Sequence, residues 1–243
     1  MRVLIVGATG ATGENVTNLF LEAGYDVRVV VREAEKLPEE IRLHENISII
    51  KDTILNMKDD DIEHLVRDCD AVISCLGHTL SFRGLFGKPR KLVVESIRRL
   101  CKAIQATSPQ KACKLVLMNS AGCQNKDATE NISFGQHCIL YLLRLLLPPH
   151  VDNEQALDYL RTEIGQSNTA IEWVIVRPDN LTNAKIVSSY TVHPSPIRSA
   201  IFNAGETSRI NVAHFMVSLI SQPALWSRWQ GQMPVIYNGA DDK

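Results

Sequence analysis

Apolar positions along the chain follow two alternating rhythms. Val3 to Val6 is a short continuous apolar run, the pattern of a strand covered on both faces of a parallel sheet. Val16, Leu19, Phe20 and Ala23 then fall at i, i+3, i+4 and i+7, which is one apolar helix face, and Gly24 is its natural stop. Asp26 to Val31 reads as a second strand. Strand, helix and strand within about 30 residues make a βαβ unit, whose crossover is right-handed. The same alternation predicts strands over Ile47–Ile50, Asp70–Leu76, Lys114–Met118, Ile171–Val176 and Pro234–Tyr237. It predicts helices over Asp61–Arg67, Pro89–Ala106, Phe134–Leu147, Asp152–Gly165 and Val212–Ile220. Pro89 suits a first helical turn and Asn211 suits an N-cap. Strands alternating with helices throughout mean an α/β chain built on a doubly wound parallel sheet.

The 243 residues fit one domain, with a cofactor-binding half over roughly 1–125 and a substrate-facing part over 126–243. A net charge of −1 and the lack of a basic stripe argue against nucleic acid and anionic membrane as partners. The six cysteines form no C-x-x-C pair and no zinc-finger spacing, so they read as buried reduced thiols of a cytoplasmic protein. The N-terminal apolar run is too short for a signal peptide. Cys138 to Leu147 is apolar but half the length of a membrane span, carries Arg144, and is stopped by Pro148-Pro149. It reads as a helix packed in the core or facing a partner. The stretch from His78 to Lys88 follows a strand end, where open α/β sheets bind ligands, and is either a lid or an ordinary surface loop.

The chemistry sits at Gly7-Ala8-Thr9-Gly10-Ala11-Thr12-Gly13. This G-x-x-G-x-x-G follows a buried strand directly and opens an amphipathic helix, the setting a pyrophosphate site requires. Gly7 permits the tight exit from the strand, Gly10 lets the backbone approach phosphates, and Gly13 lets the helix pack on the sheet. Free N–H groups at the helix start, around Ala11, face the anion, and Thr9 and Thr12 offer hydroxyl donors. The end of the second strand selects the dinucleotide. Arg32 leaves the strand first, with Lys36 one turn on, and a guanidinium matches a 2′-phosphate bidentately, which favours NADP(H) over NAD(H). Glu33 argues mildly the other way.

Val-Gly-Ala-Thr-Gly-Ala-Thr-Gly followed by Val-Arg-Glu-Ala-Glu-Lys-Leu-Pro resembles the atypical short-chain dehydrogenase/reductases, and more narrowly their NmrA-like and flavin reductase (biliverdin reductase B)-like branch. The likeness continues through Lys51-Asp52, Ser74 to Gly77, Asn119 to Ala121, Val176 to Asn180 and Ile210 to Leu219, and so covers most of the chain. It implies a Rossmann-type NAD(P)-binding fold. It implies that Asp52 and Thr53 flank the adenine and that Leu76 and Gly77 pass under the ribose and phosphates. By the same likeness Ser120 sits beside the nicotinamide, and Pro178 to Asn180 line its pocket. Read from the residues alone, the Ser120 hydroxyl serves equally to close a turn.

One expected feature is missing. The Tyr-x-x-x-Lys pair of that superfamily does not occur: the residues four places after the five tyrosines are Val29, Leu145, Glu163, Pro194 and Asp241. Pro148-Pro149-His150-Val151-Asp152-Asn153 stands where the pair belongs. This excludes the usual carbonyl–alcohol mechanism. Two readings remain. The first is an NADPH-dependent reductase of a conjugated acceptor such as a flavin, a quinone or a tetrapyrrole-like molecule, with His78, His137 and His150 as candidate proton donors. The second is a non-catalytic redox sensor of the NmrA type that binds NADP(H) and passes its state to a protein partner. No spacing suggests a metal site, and no G-x-S-x-G elbow suggests a hydrolase.

Overall fold

A strand with apolar residues at every position must be covered on both faces, and the sheet shows how. In a computed structural model, which describes residues 1–78, 87–130 and 133–239, Leu4 and Val6 of β1 (Arg2–Val6) point into one core and Val3 and Ile5 into the other. Around β1 lie β2 (Asp26–Val31), β3 (Ile47–Lys51), β4 (Ala71–Ser74), β5 (Cys113–Met118), β6 (Ile171–Pro178), β8 (Tyr190–His193) and β10 (Val235–Asn238). The eight-stranded order is β3-β2-β1-β4-β5-β6-β10-β8. All neighbours are parallel except β8, which runs antiparallel to β10. The order reverses between β1 and β4, the switch point at which open α/β sheets bind ligands.

Helices cover both faces. The first layer holds α3 (Asp59–Val66), α4 (Leu92–Ala106) and α6 (Pro148–Tyr159), and buries Ile62, Ile97, Leu100 and Leu157 against Leu4, Val72 and Leu115. The second holds α1 (Ala11–Glu22), α7 (Arg209–Ser221) and α8 (Pro223–Trp229), and buries Phe20, Phe215, Met216 and Trp226 against Ile5, Val29 and Ile73. The short α2 (Glu39–Arg42) precedes β3, and α5 (Phe134–Leu146) lies between β5 and α6. A small parallel pair, β7 (Asn180–Thr182) with β9 (Glu206–Ser208), walls the end of β6. Among the described residues no helix is long and apolar enough to cross a membrane.

Several sequence expectations are corrected by capping and packing. Ser208, not Asn211, caps α7: its hydroxyl accepts from Asn211 N at 3.3 Å, and the helix starts at Arg209. Asn211 is instead fully buried and ties Ser188 to Asn238. Pro148 does not merely end α5. It is the first residue of α6, where its missing N–H costs nothing, so that helix begins four residues earlier than predicted. Leu160–Ile164 then widens into a π turn before Gly165. α4 starts at Leu92, beyond Pro89. Five thiols are wholly or largely shielded, but Cys138 is exposed, as is much of α5, which the sequence also allowed as core. Most of the predicted His78–Lys88 loop lies outside the described residues.

Candidate cofactor and catalytic site

The glycine turn is built by backbone crowding. Gly7 has φ +85°, and a Cβ there would stand 2.6 Å from the carbonyl carbon of Cys75 at the end of β4. A Cβ on Gly13 would stand 2.1 Å from the Gly7 oxygen. That oxygen accepts the Gly10 N–H at 3.0 Å, so the three glycines form one closed turn. Gly10 is the N-cap of α1 in extended conformation, and no side chain caps the helix. The N–H groups of Ala11, Thr12 and Gly13 therefore open toward the turn without an intrahelical acceptor. Gly10 and Ala11 are exposed, Thr9 is half-buried and Thr12 is buried. An uncapped, side-chain-free helix start at the sheet's switch point fits a pyrophosphate.

The neighbouring strand ends converge on the same edge. Arg32 follows β2 immediately, is exposed, and makes no ion pair or hydrogen bond among the described residues. Lys36 is on the surface too, but its ammonium is 2.7 Å from Glu33, so the acid that weighed against a phosphate is occupied by the second cation. Asp52 donates its N–H to Val31 O at 3.0 Å, and its carboxylate accepts from Thr53 N at 2.7 Å, which sets both beside the exit of β2. Leu76 and Gly77 leave β4 against the Gly7 turn.

At the end of β5, Asn119 is the brace. Its side chain donates to Asn153 O at 2.9 Å and accepts from Ser120 N at 2.8 Å. The Ser120 hydroxyl accepts from Gly122 N at 3.1 Å, which does close a turn and leaves the hydroxyl proton available. Pro178 ends β6, and its carbonyl accepts from Ala121 N at 2.9 Å. Asn180 is exposed and pairs through its N–H with Gly205 O at 3.2 Å. Between them, burial raises the Asp179 carboxyl above its usual range, partly offset by hydrogen bonds from Gly205 N and Asn180 N.

The segment standing in place of Tyr-x-x-x-Lys has a defined task. Asp152, 1% exposed, accepts from Val93 N at 2.8 Å and Val94 N at 2.9 Å and so caps α4 from another helix. The same carboxylate lies 2.7 Å from His78 Nε2, with both side chains buried. The other two candidate histidines are placed differently. His137 is exposed on α5 and turns its ring back to Ser133 O. His150 Nε2 is 3.5 Å from Glu154, which also takes the Arg144 guanidinium. Burial alone would raise the Glu154 carboxyl; His150 and Arg144 outweigh it and bring it to about 2.

The pattern gave no role to Arg177, yet it is fully buried. It donates to Met233 O at 2.8 Å, to Cys123 O at 2.9 Å and to Glu130 at 2.7 Å. It clamps the loop after Ser120 to the approach of β10. A charged residue directly after the apolar run Trp173–Val176 was the available signal. Burial pushes the Cys69 thiol up to about 11 and the Cys75 thiol to about 12, and raises Cys101, Cys113 and Cys123 as well, which disfavours the reactive thiolate at each. The described residues hold no cluster of metal-binding side chains.

Known proteins share this fold. A family model described as NAD(P)H-binding matches residues 7–223. An uncharacterized chloroplastic protein of Arabidopsis thaliana is 26% identical over 221 residues, 91% of this chain and 72% of that protein. Among solved structures, a short-chain dehydrogenase/reductase of Veillonella parvula in complex with NADP superposes with a TM-score of 0.70 at 15% identity, over 100% of this chain and 96% of its own. A candidate NADH-flavin reductase of Streptococcus pneumoniae gives 0.67 at 17%, covering 98% and 100%. An anaerobilin reductase of Escherichia coli O157:H7 gives 0.69 at 16%, covering 100% and 99%. At these identities the likeness is one of fold.

Proposed function

The chain belongs to the NAD(P)H-binding family, and from that premise we propose that it is an NADPH-dependent oxidoreductase acting on a conjugated acceptor of the flavin, quinone or tetrapyrrole-like class. The observation that carries the reading is the uncapped glycine turn at the switch point, combined with the lack of a Tyr-x-x-x-Lys pair beside it. In this reading Gly7 to Gly13 hold the pyrophosphate, Arg32 takes the 2′-phosphate, and Asp52 and Thr53 border the adenine. Leu76 and Gly77 support the ribose. Arg32 carries the preference for NADPH; among the structural neighbours one is bound to NADP and another is a candidate NADH-flavin reductase.

When bound, the nicotinamide supplies the hydride. A conjugated acceptor spreads the incoming charge over its own π-system, so the chain is left with orientation, exclusion of water and delivery of one proton. Ser120 and the Pro178–Asn180 edge orient the reacting partners. Proton delivery falls to His78, whose ring Asp152 holds in place as it caps α4. Asp152 thus stands where the superfamily carries its Tyr-x-x-x-Lys pair, and it serves by fixing a group on a different strand end.

The test is NADPH oxidation by the purified chain across flavins, quinones and bilins. The expected result is turnover with at least one acceptor, reduced more than tenfold in kcat by His78→Gln with NADPH affinity unchanged. No oxidation above background across the panel refutes the reductase and leaves the redox-sensor reading. A protein partner captured with only one cofactor redox state would then support that reading directly.

A further inference from the structure

Helix α5 carries apolar residues on both its inward and its outward sides, with Gln136, His137 and Arg144 as its polar side chains. Gln136 and Leu140 are buried against the rest of the chain, and Ile139 and Leu143 are half-buried beside them. On the opposite side Phe134, Cys138, Tyr141, Leu142, Leu145 and Leu146 follow at spacings of three and four, a continuous stripe. Phe134 is 85% exposed, Tyr141 62%, Leu142 52%, Leu145 64% and Leu146 63%. Phe202, 61% exposed, extends the stripe at the first turn, its ring 3.4 Å from where a Cβ on Gly135 would stand. A helix with apolar residues on both sides normally lies in a core. Among the described residues nothing covers this one.

The choice of cover follows from length and charge. With 13 residues, α5 is well short of the roughly 20 that cross a bilayer. A helix lying on a bilayer carries a charged, usually cationic face opposite its apolar stripe. Here the opposite face packs on the chain itself. The one formally charged side chain, Arg144, is held by Glu154 through two contacts of 2.8 Å. What remains is a neutral, apolar stripe, which suits a copy of itself, because an isologous contact brings the same patch to both sides. These exposures leave roughly 700 Å² of mostly apolar surface, close to the ~800 Å² each partner gives a standard interface and above the usual largest patch of a monomer.

We propose that α5 packs against α5 of a second copy across a twofold axis, with Phe202 at the rim, so that the protein is a homodimer. Phe202 is tied to the helix, since Gln136 of α5 accepts a hydrogen bond from Ser199 three residues before it. Sedimentation velocity and light scattering on the full chain from 1 to 100 µM test it. The expected mass is twice the 27.1 kDa of the chain. The double substitution Leu142→Glu with Leu145→Glu is expected to give a monomer that binds NADPH as the parent does. Ile186→Glu, an exposed apolar residue outside the stripe, is expected to stay dimeric. Hydrogen exchange in 134–146 of the unmodified chain is expected to slow as concentration rises, a readout that holds even if the double variant misfolds. A monomeric parent at 100 µM, a double variant that remains a dimer, or exchange in α5 that ignores concentration overturns the proposal. So does co-sedimentation of a monomeric parent with vesicles of mixed neutral and anionic lipid, which would assign the stripe to a lipid surface.

Discussion

Gly13→Ala separates the folding role of the glycine turn from its binding role. The new Cβ would lie 2.1 Å from the Gly7 oxygen, 2.8 Å from the Gly7 carbonyl carbon and 3.1 Å from the Ala8 Cα, all backbone. No flexible side chain is there to yield, so either α1 moves off the sheet or the Gly7 peptide rotates. Rotation breaks the 3.0 Å bond from Gly10 N. Overpacking of this kind costs about 1–3 kcal/mol. The broken hydrogen bond adds about 1 kcal/mol. A loss of roughly 2–4 kcal/mol in a chain of this size lowers Tm by about 5–15 °C. Gly10→Val is the contrast. A Cβ at Gly10 meets only the Gly7 oxygen at 3.3 Å, and the branches project into the open space before the helix start. That variant is expected to lose about 1 kcal/mol, the usual penalty for a poor N-cap residue. It should also lose measurable binding of both NADPH and NADH. Thermal denaturation and nicotinamide fluorescence titration on both variants are the assays. Parental Tm in Gly13→Ala would refute the crowding argument. Parental NADPH affinity in Gly10→Val would remove the basis for the cofactor site.

Three further outcomes follow from particular contacts. Arg32→Ala is expected to weaken NADPH by about 1.5–3 kcal/mol, roughly 10- to 150-fold, with little change for NADH; equal losses in a fluorescence titration would exclude Arg32 as the 2′-phosphate ligand. Glu154 has its carboxyl lowered to about 2 in the folded chain, below the ordinary 4.5, so its contribution to stability is present above about 4.5 and is lost as pH falls toward 2. Glu154→Gln should therefore lower Tm at pH 7 and match the parent progressively below pH 4, and a pH-independent difference would refute the assignment. Glu130→Gln leaves the buried Arg177 charge without its counter-ion and is expected to cost about 3–5 kcal/mol; chemical denaturation within 1 kcal/mol of the parent would show that Arg177 is satisfied by its carbonyl partners alone.

Most of the framework was legible because parallel strands are apolar on both faces and their helices on one. Continuous runs such as Val3–Val6 and the i, i+3, i+4 face of α1 left little ambiguity about element type. What the pattern missed was short or set by distant partners. β7, β8 and β9 have three or four residues each; β8 forms on the edge that β10 offers, and β7 and β9 form by pairing with each other. Asn211 has the right chemistry for a cap, and only the fold shows that Ser208 takes the cap while Asn211 is drawn inward by Ser188 and Asn238. The exposure of α5 was equally hidden, because an apolar helix reads the same whether its outer face meets the core or a second chain.

The site divides along the same line. The glycine turn and Arg32 are local: a strand, a turn and the next strand end lie within about 30 residues of one another, so spacing alone places them. Asp152 and His78 are 74 residues apart and meet only because α6 lies across the ends of β4 and β5. The sequence could register what was lacking at Pro148–Asn153, but not that the same segment caps α4 and holds a histidine beyond the end of β4. Three donors converge on one buried carboxylate there. Truncating it, as in Asp152→Ala, takes the acceptor from two amides of the α4 first turn. Loss of Asp152 should therefore show first as lost stability and only then as lost turnover. His78→Gln keeps the cap intact, and it is the substitution that isolates the chemistry from the fold.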